Sequence, residues 1–135
     1  MKVGLFGFGR TGRVVAEEII DDPDCTLAWV VRKTNKGNHE YASDFLGYPH
    51  NRQGLFFSAG EAEADDFFSR NAVDVIIDFS CKTGLYEYTA AADQGIRIVS
   101  AISHYDKKEI LHLKAMAEKT AVLHSANITL GINFL

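Results

Sequence analysis

Met1-Lys-Val-Gly-Leu-Phe6-Gly7-Phe8-Gly9-Arg10-Thr11-Gly12-Arg-Val14-Val15-Ala-Glu-Glu-Ile19-Ile20 decides the fold. Lys2–Phe6 is a short apolar run that ends at a glycine, which predicts a buried strand. From Arg10 to Asp21 the apolar positions Val14, Val15, Ile19 and Ile20 recur at helical spacing. The helix must stop before Pro23, which cannot continue it. Between strand and helix lies a G-x-G-x-x-G turn. In this setting Gly7 permits a tight exit from the strand and Gly9 lets a pyrophosphate approach the backbone. Gly12 lets helix and strand pack closely. The helix start then presents free N–H groups and a positive dipole end to the phosphates. A glycine turn needed only for strand–helix packing would read the same way. The motif alone is weak, and it is the strand before it and the helix after it that point to a dinucleotide site.

The bulk composition narrows the alternatives. A chain of 135 residues with 47% hydrophobic and 24% charged residues is one globular domain with a real core. A formal net charge of -4 argues against nucleic acid as the main partner. No apolar run approaches the roughly 18–20 residues that span a bilayer. The start of the chain has only Lys2 and no signal-peptide pattern, so a cytoplasmic location is expected. Cys25 and Cys81 stand far apart and are expected as two buried or half-buried thiols rather than a disulfide.

The rest of the chain alternates strand and helix. Thr26–Val31 is the second strand, and Glu40–Leu46 a possible short helix. Leu55–Ser58 is the third strand, and Ala62–Ser69 an acidic amphipathic helix with Phe67 and Phe68 toward the core. Val73–Asp78 is a near-continuous apolar run, as expected of a central parallel strand. A helix follows over Leu85–Asp93 with Gly95 as its C-cap, then a strand over Ile96–Ile102. Asp106 and Glu109 fit a capping box for a helix over Lys107–Lys119, whose inner face would carry Ile110, Leu113, Met116 and Ala117. Ala121–His124 is the last clear strand. His39 and His50 lack a second ligand at metal-like spacing and read as surface histidines. The pattern predicts an α/β fold, a single Rossmann-type domain with a doubly wound parallel sheet. Ligands bind such sheets beyond the carboxyl ends of the strands. Four loops should meet there, Gly7–Gly12, Arg32–Lys36, Phe79–Gly84 and Ala101–Tyr105, with Ser125–Thr129 close by.

The end of the second strand bears on the cofactor. An acidic residue about 20 residues past the glycines normally holds the adenosine ribose hydroxyls. Here Arg32 and Lys33 stand in that place. Two cations attract a 2′-phosphate that an acid would repel, and a guanidinium can grip it with paired hydrogen bonds. NADPH is therefore expected to bind at least as well as NADH. A solvated basic turn is the simpler alternative.

Three segments carry a resemblance over the whole chain. They are Gly9-Arg10-Thr11-Gly12, the strand Val73-Asp-Val-Ile-Ile-Asp78-Phe79-Ser80, and the terminal Ser125-Ala126-Asn127-Ile128-Thr-Leu-Gly-Ile-Asn133. The last is the most diagnostic. Together they resemble the nucleotide-binding domain of the 4-hydroxy-tetrahydrodipicolinate reductase family. The resemblance implies that Gly7, Phe8, Gly9, Arg10 and Thr11 hold the cofactor pyrophosphate, with Gly12 closing the turn. Arg32 and Lys33 would fall where the family discriminates NADH from NADPH. Phe79 and Ser80 would line the nicotinamide side, and Ala101, Ile102, Ser103, Ser125, Ala126, Asn127 and Ile128 would close the cleft. The family often has Gly-Thr-Thr-Gly where this chain has Ala101-Ile102-Ser103-His104. Position 128 is Ile where an aromatic is common.

The resemblance also implies a substrate domain with a paired histidine, a lysine general acid and a Ser-Gly-Thr loop. None of these occurs in the 135 residues, so no catalytic residue is assigned, and no metal ligand either. Two readings follow. The chain is the NAD(P)H-binding part of a reductase of the lysine and diaminopimelate pathway, or it is a stand-alone NADP(H)-binding sensor or regulatory module. A third is an oxidoreductase of the same broad class acting on another amino-acid-derived substrate. The apolar stretch from Ile128 to Leu135 suggests a homo-oligomer that covers it.

Overall fold

In the computed structural model, residues 1–33, 37, 39–48 and 51–125 are described. The expected strands form β1 (Lys2–Phe6), β2 (Thr26–Arg32), β3 (Leu55–Ser58), β4 (Val75–Asp78), β5 (Arg97–Ser100) and β6 (Val122–His124). They make one six-stranded sheet in the order β3-β2-β1-β4-β5-β6. Every strand pair in it is parallel. The order reverses between β1 and β4, so the two most buried strands flank the switch point. The helices are α1 (Arg10–Asp21), α2 (Ala42–Phe45), α3 (Ala59–Ala62), α4 (Phe67–Arg70), α5 (Thr89–Asp93) and α6 (Lys107–Ala117).

Alternating strand side chains divide into two cores, as a sheet covered on both faces requires. Val3, Leu5, Leu27, Val30 and Val75 pack with Ala16, Ile19 and Ile20 of α1 and Ala42 of α2. Phe6, Trp29, Val31, Ile76 and Ile98 pack with Ala62, Phe67, Phe68, Tyr88, Leu113 and Met116 on the other face. Gly4 is required here, because a side chain at that position would overlap the Trp29 ring. The Trp29 indole N–H donates to the Asn71 carbonyl at 2.9 Å, so its one polar atom is satisfied inside the core.

Four expectations need correction. The helix expected over Ala62–Ser69 is two short helices, α3 and α4. Ser58 starts the first of them three residues earlier, accepting from the Glu61 N–H at 3.1 Å in a capping box. Continuing it would stack the carboxylates of Glu61, Glu63, Asp65 and Asp66 along adjacent turns, which opposes helix. The helix expected over Leu85–Asp93 is a 3-10 turn over Gly84–Glu87 followed by α5. Tyr88 breaks it with φ −117° and ψ 21°, because its hydroxyl is drawn inward to Asp78. On α6, Leu113 and Met116 are buried, but Ala117 is exposed and Glu109 is buried instead. Cys25 is half-buried as expected, whereas Cys81 is exposed, and both are free thiols.

Candidate functional site

The described parts of the expected loops meet at the carboxyl edge of the sheet. Hydrogen bonds carry the ladder past the strand ends into them. The Gly7 N–H donates to the Val31 carbonyl at 2.9 Å and the Phe79 N–H to the Phe6 carbonyl at 2.8 Å. The Ala101 N–H donates to the Asp78 carbonyl at 2.9 Å and the Ser125 N–H to the Ser100 carbonyl at 3.0 Å. Residues 34–36 and 126–129, and with them Ala126, Asn127 and Ile128, lie outside the described residues.

The glycine turn is built as its spacing requires. Gly7 has φ +99°, and a Cβ there would lie 2.7 Å from the Phe79 carbonyl carbon and 2.8 Å from the Ser80 nitrogen. The turn after β1 thus rests directly on the corner after β4. A Cβ on Gly12 would lie 2.5 Å from the Gly7 carbonyl oxygen, so only glycine lets α1 start this close to the turn. Gly9 differs, since a Cβ there would meet nothing within 4 Å. Its bare face opens outward, at the N-cap position of α1.

That helix start is uncapped by side chains and has no acidic residue in its first turn. The other long helix, α6, begins instead with the Asp106–Glu109 capping box, in which Glu109 accepts from the Asp106 N–H at 3.2 Å. The contrast matters electrostatically. At the start of α1, N–H groups and the dipole face an open glycine rather than a protein carboxylate, which is the arrangement that receives an anion. The residues present therefore fit a dinucleotide pyrophosphate.

Individual site residues are placed as follows. Arg10 is exposed and Thr11 half-buried. The Phe8 ring turns away from the edge into the core, 5.3 Å from Phe45 and 5.0 Å from Phe56, leaving only its main chain for a ligand. Its carbonyl accepts from Arg13 Nε at 3.2 Å, and the Arg13 guanidinium lies 4.7 Å from the Phe45 ring centre. Arg32 is half-buried, its guanidinium 3.6 Å from the Phe56 ring centre, and burial pulls its pKa below the usual arginine value. Lys33 is exposed. On the opposite side Phe79 is half-buried and Ser80 exposed. Ala101 is half-buried, Ile102 buried and Ser103 exposed, and His124 Nε2 lies 2.9 Å from the Ile102 carbonyl.

A polar network under this edge was not visible in the sequence. Asp78 is fully buried. Its Oδ1 accepts from the Ser80 N–H at 2.8 Å and the Ser80 hydroxyl at 2.5 Å, and its Oδ2 accepts from the Tyr88 hydroxyl at 2.7 Å. The Tyr105 hydroxyl lies 2.6 Å from Ser100 Oγ. Burial pushes Asp78 above the ordinary carboxylate value, and the three hydrogen bonds partly offset it. Burial, with the nearby Asp78 charge, pushes the Tyr88 phenol far up. The Asp-x-Ser spacing is a turn signal by itself. Tyr88 gave none, because its partner is distant in the chain. Among the described residues no group of three or more His, Cys, Asp or Glu is placed to hold a metal.

A doubly wound parallel sheet with an open glycine turn at its switch point defines a Rossmann-type nucleotide-binding domain. Residues 1–128 match the family described as "Dihydrodipicolinate reductase, N-terminus", and the chain belongs to that family. The 4-hydroxy-tetrahydrodipicolinate reductase of Chromobacterium violaceum is 29% identical over 93% of this chain and 45% of its own length. The reductase of the same name from Burkholderia thailandensis is 30% identical over 98% of this chain and 48% of its own length. The chain thus spans about half the length of the curated relatives it matches. Among solved structures, apo scyllo-inositol dehydrogenase from Lactobacillus casei superposes with a TM-score of 0.65 at 17% identity, covering 90% of this chain and 36% of the other. That likeness concerns the fold alone.

Proposed function

We propose that this chain is the NAD(P)H-binding part of a reductase that converts 4-hydroxy-tetrahydrodipicolinate to tetrahydrodipicolinate in lysine and diaminopimelate biosynthesis. The observation that carries the proposal is the uncapped start of α1 beneath the bare face of Gly9. Gly7, Phe8, Gly9, Arg10, Thr11 and Gly12 hold the pyrophosphate through main-chain N–H groups. Phe79, Ser80, Ala101, Ile102, Ser103, Ser125, Ala126, Asn127 and Ile128 border the nicotinamide. Bound there, the nicotinamide supplies the hydride, and the chain's task is to bind it, orient it and keep water from one face. The names of the relatives support the reaction. The general acid and the substrate contacts lie in sequence outside these residues.

The basic pair at the end of β2 supports NADPH as the favoured cofactor. Lys33 is the exposed cation of the pair, and the Arg32 guanidinium is held against the Phe56 ring. We assign the protein to the cytoplasm, in keeping with a biosynthetic reductase. Among the described residues no helix is long and apolar enough to cross a membrane. A homo-oligomer covers the apolar stretch from Ile128 to Leu135, which lies outside the described residues.

A sensor without catalysis is the second reading. The departure of Ala101-Ile102-Ser103-His104 from the family's Gly-Thr-Thr-Gly favours it, because a relaxed substrate loop is what lost catalysis would leave. The test follows NADPH oxidation in the presence of 4-hydroxy-tetrahydrodipicolinate. The chain alone is expected to bind NADPH and leave it unoxidised. Turnover by the chain alone would contradict the placement of the general acid outside it and would exclude the sensor reading.

A further inference from the structure

Ser80 is exposed at the sheet edge, yet its hydroxyl is not a free rotor. Three donors converge on the buried Asp78 carboxylate, the Ser80 N–H, the Ser80 hydroxyl and the Tyr88 hydroxyl, at 2.8, 2.5 and 2.7 Å. An ionised carboxylate only accepts, so each of these hydrogens points at it. The Tyr88 hydrogen is thereby committed to Asp78. Gly84 holds Ser80 from the other side, because a Cβ at residue 84 would overlap Ser80 Oγ. What Ser80 Oγ can offer a ligand is lone pairs.

We propose that Ser80 is a fixed hydrogen-bond acceptor, oriented by Asp78, whose other oxygen is held by Tyr88, that selects a cofactor head bearing an amide over one bearing a carboxylate. The inference rests on the reading of Ser80 as a border of the nicotinamide. A carboxamide N–H satisfies the Oγ lone pair. The carboxylate of a nicotinic acid ring has only lone pairs to set against it, which leaves both groups unsatisfied. Ser80 is the residue in contact with the ligand. Asp78 and Tyr88 act through it and are positioning residues.

The experiment is a calorimetric comparison of NADP+ with nicotinic acid adenine dinucleotide phosphate, which differs only in that one group. The wild-type chain is expected to favour the amide by about tenfold, the worth of one hydrogen bond kept against one acceptor opposed. Ser80→Ala is expected to bring the ratio close to one; it also takes a donor from the buried Asp78 carboxylate and so melts lower, and retained NADP+ binding shows that the site is intact. Asp78→Ala removes the acceptor of the Ser80 hydroxyl, which frees that hydrogen for a carboxylate and narrows the ratio. Equal binding of the two dinucleotides by the wild type overturns the inference, and so does a Ser80→Ala variant that keeps the wild-type ratio. If neither dinucleotide binds the wild type, the nicotinamide reading itself fails and the inference falls with it.

Discussion

Two glycines of one turn do different work, and single methyl groups separate them. At Gly9 the backbone has φ −78°, which any residue adopts, and an added Cβ meets nothing within 4 Å. Gly9→Ala is therefore expected to melt with the wild type yet to bind NADPH about tenfold or more weakly, because the methyl occupies the face that the pyrophosphate approaches. Gly12→Ala drives a Cβ to 2.5 Å from the Gly7 carbonyl oxygen. Overpacking of that kind costs about 1–3 kcal/mol, so this variant should melt lower and bind weakly as a consequence. Thermal melts paired with binding titrations separate the two. A Gly9→Ala chain that binds normally would show that phosphates do not use this turn. The basic pair is tested in the same way. Arg32→Asp should weaken NADPH much more than NADH, since it replaces an attraction for the 2′-phosphate with a repulsion. Lys33→Glu repeats the test without disturbing the Phe56 stack. Equal loss for both cofactors would show that the pair does not read the 2′-phosphate.

Elements whose causes are local were legible in the sequence, and those with distant causes were not. The first strand and helix were expected over Lys2–Phe6 and Arg10–Asp21, and they form there, because apolar spacing, glycines and Pro23 all act within the segment. The break between the 3-10 turn and α5 has no local signal. It exists because Tyr88 reaches Asp78 ten residues away. The convergence of four loops followed from the strand–helix alternation. The Phe8–Phe45–Phe56 cluster with Arg13 and Arg32 did not, since its members come from four separate segments.

The β4 corner also makes a pH prediction. Burial raises Asp78, so the native state keeps this proton to a higher pH than the unfolded chain does. The contribution of this group to stability therefore falls as pH rises from the ordinary carboxylate value through the raised one. Tyr88→Phe removes a hydrogen bond that favours the charged form. It should cost about 1–3 kcal/mol at neutral pH and extend that falling window upward. Urea midpoints measured across the acid range would contradict this if the two profiles differed only by a constant.

At the scale of the molecule, the described residues build one cofactor-binding sheet, and the relatives are about twice as long. Light scattering of the purified chain is expected to give a dimer or larger assembly, and a monomer at all concentrations would contradict the proposed oligomer. The central claim is that the open start of α1 receives a dinucleotide. Calorimetric titration of the chain with NADPH and with NADH tests it most directly. The account predicts one site per chain that takes NADPH at least as well as NADH. No binding of either dinucleotide would contradict it.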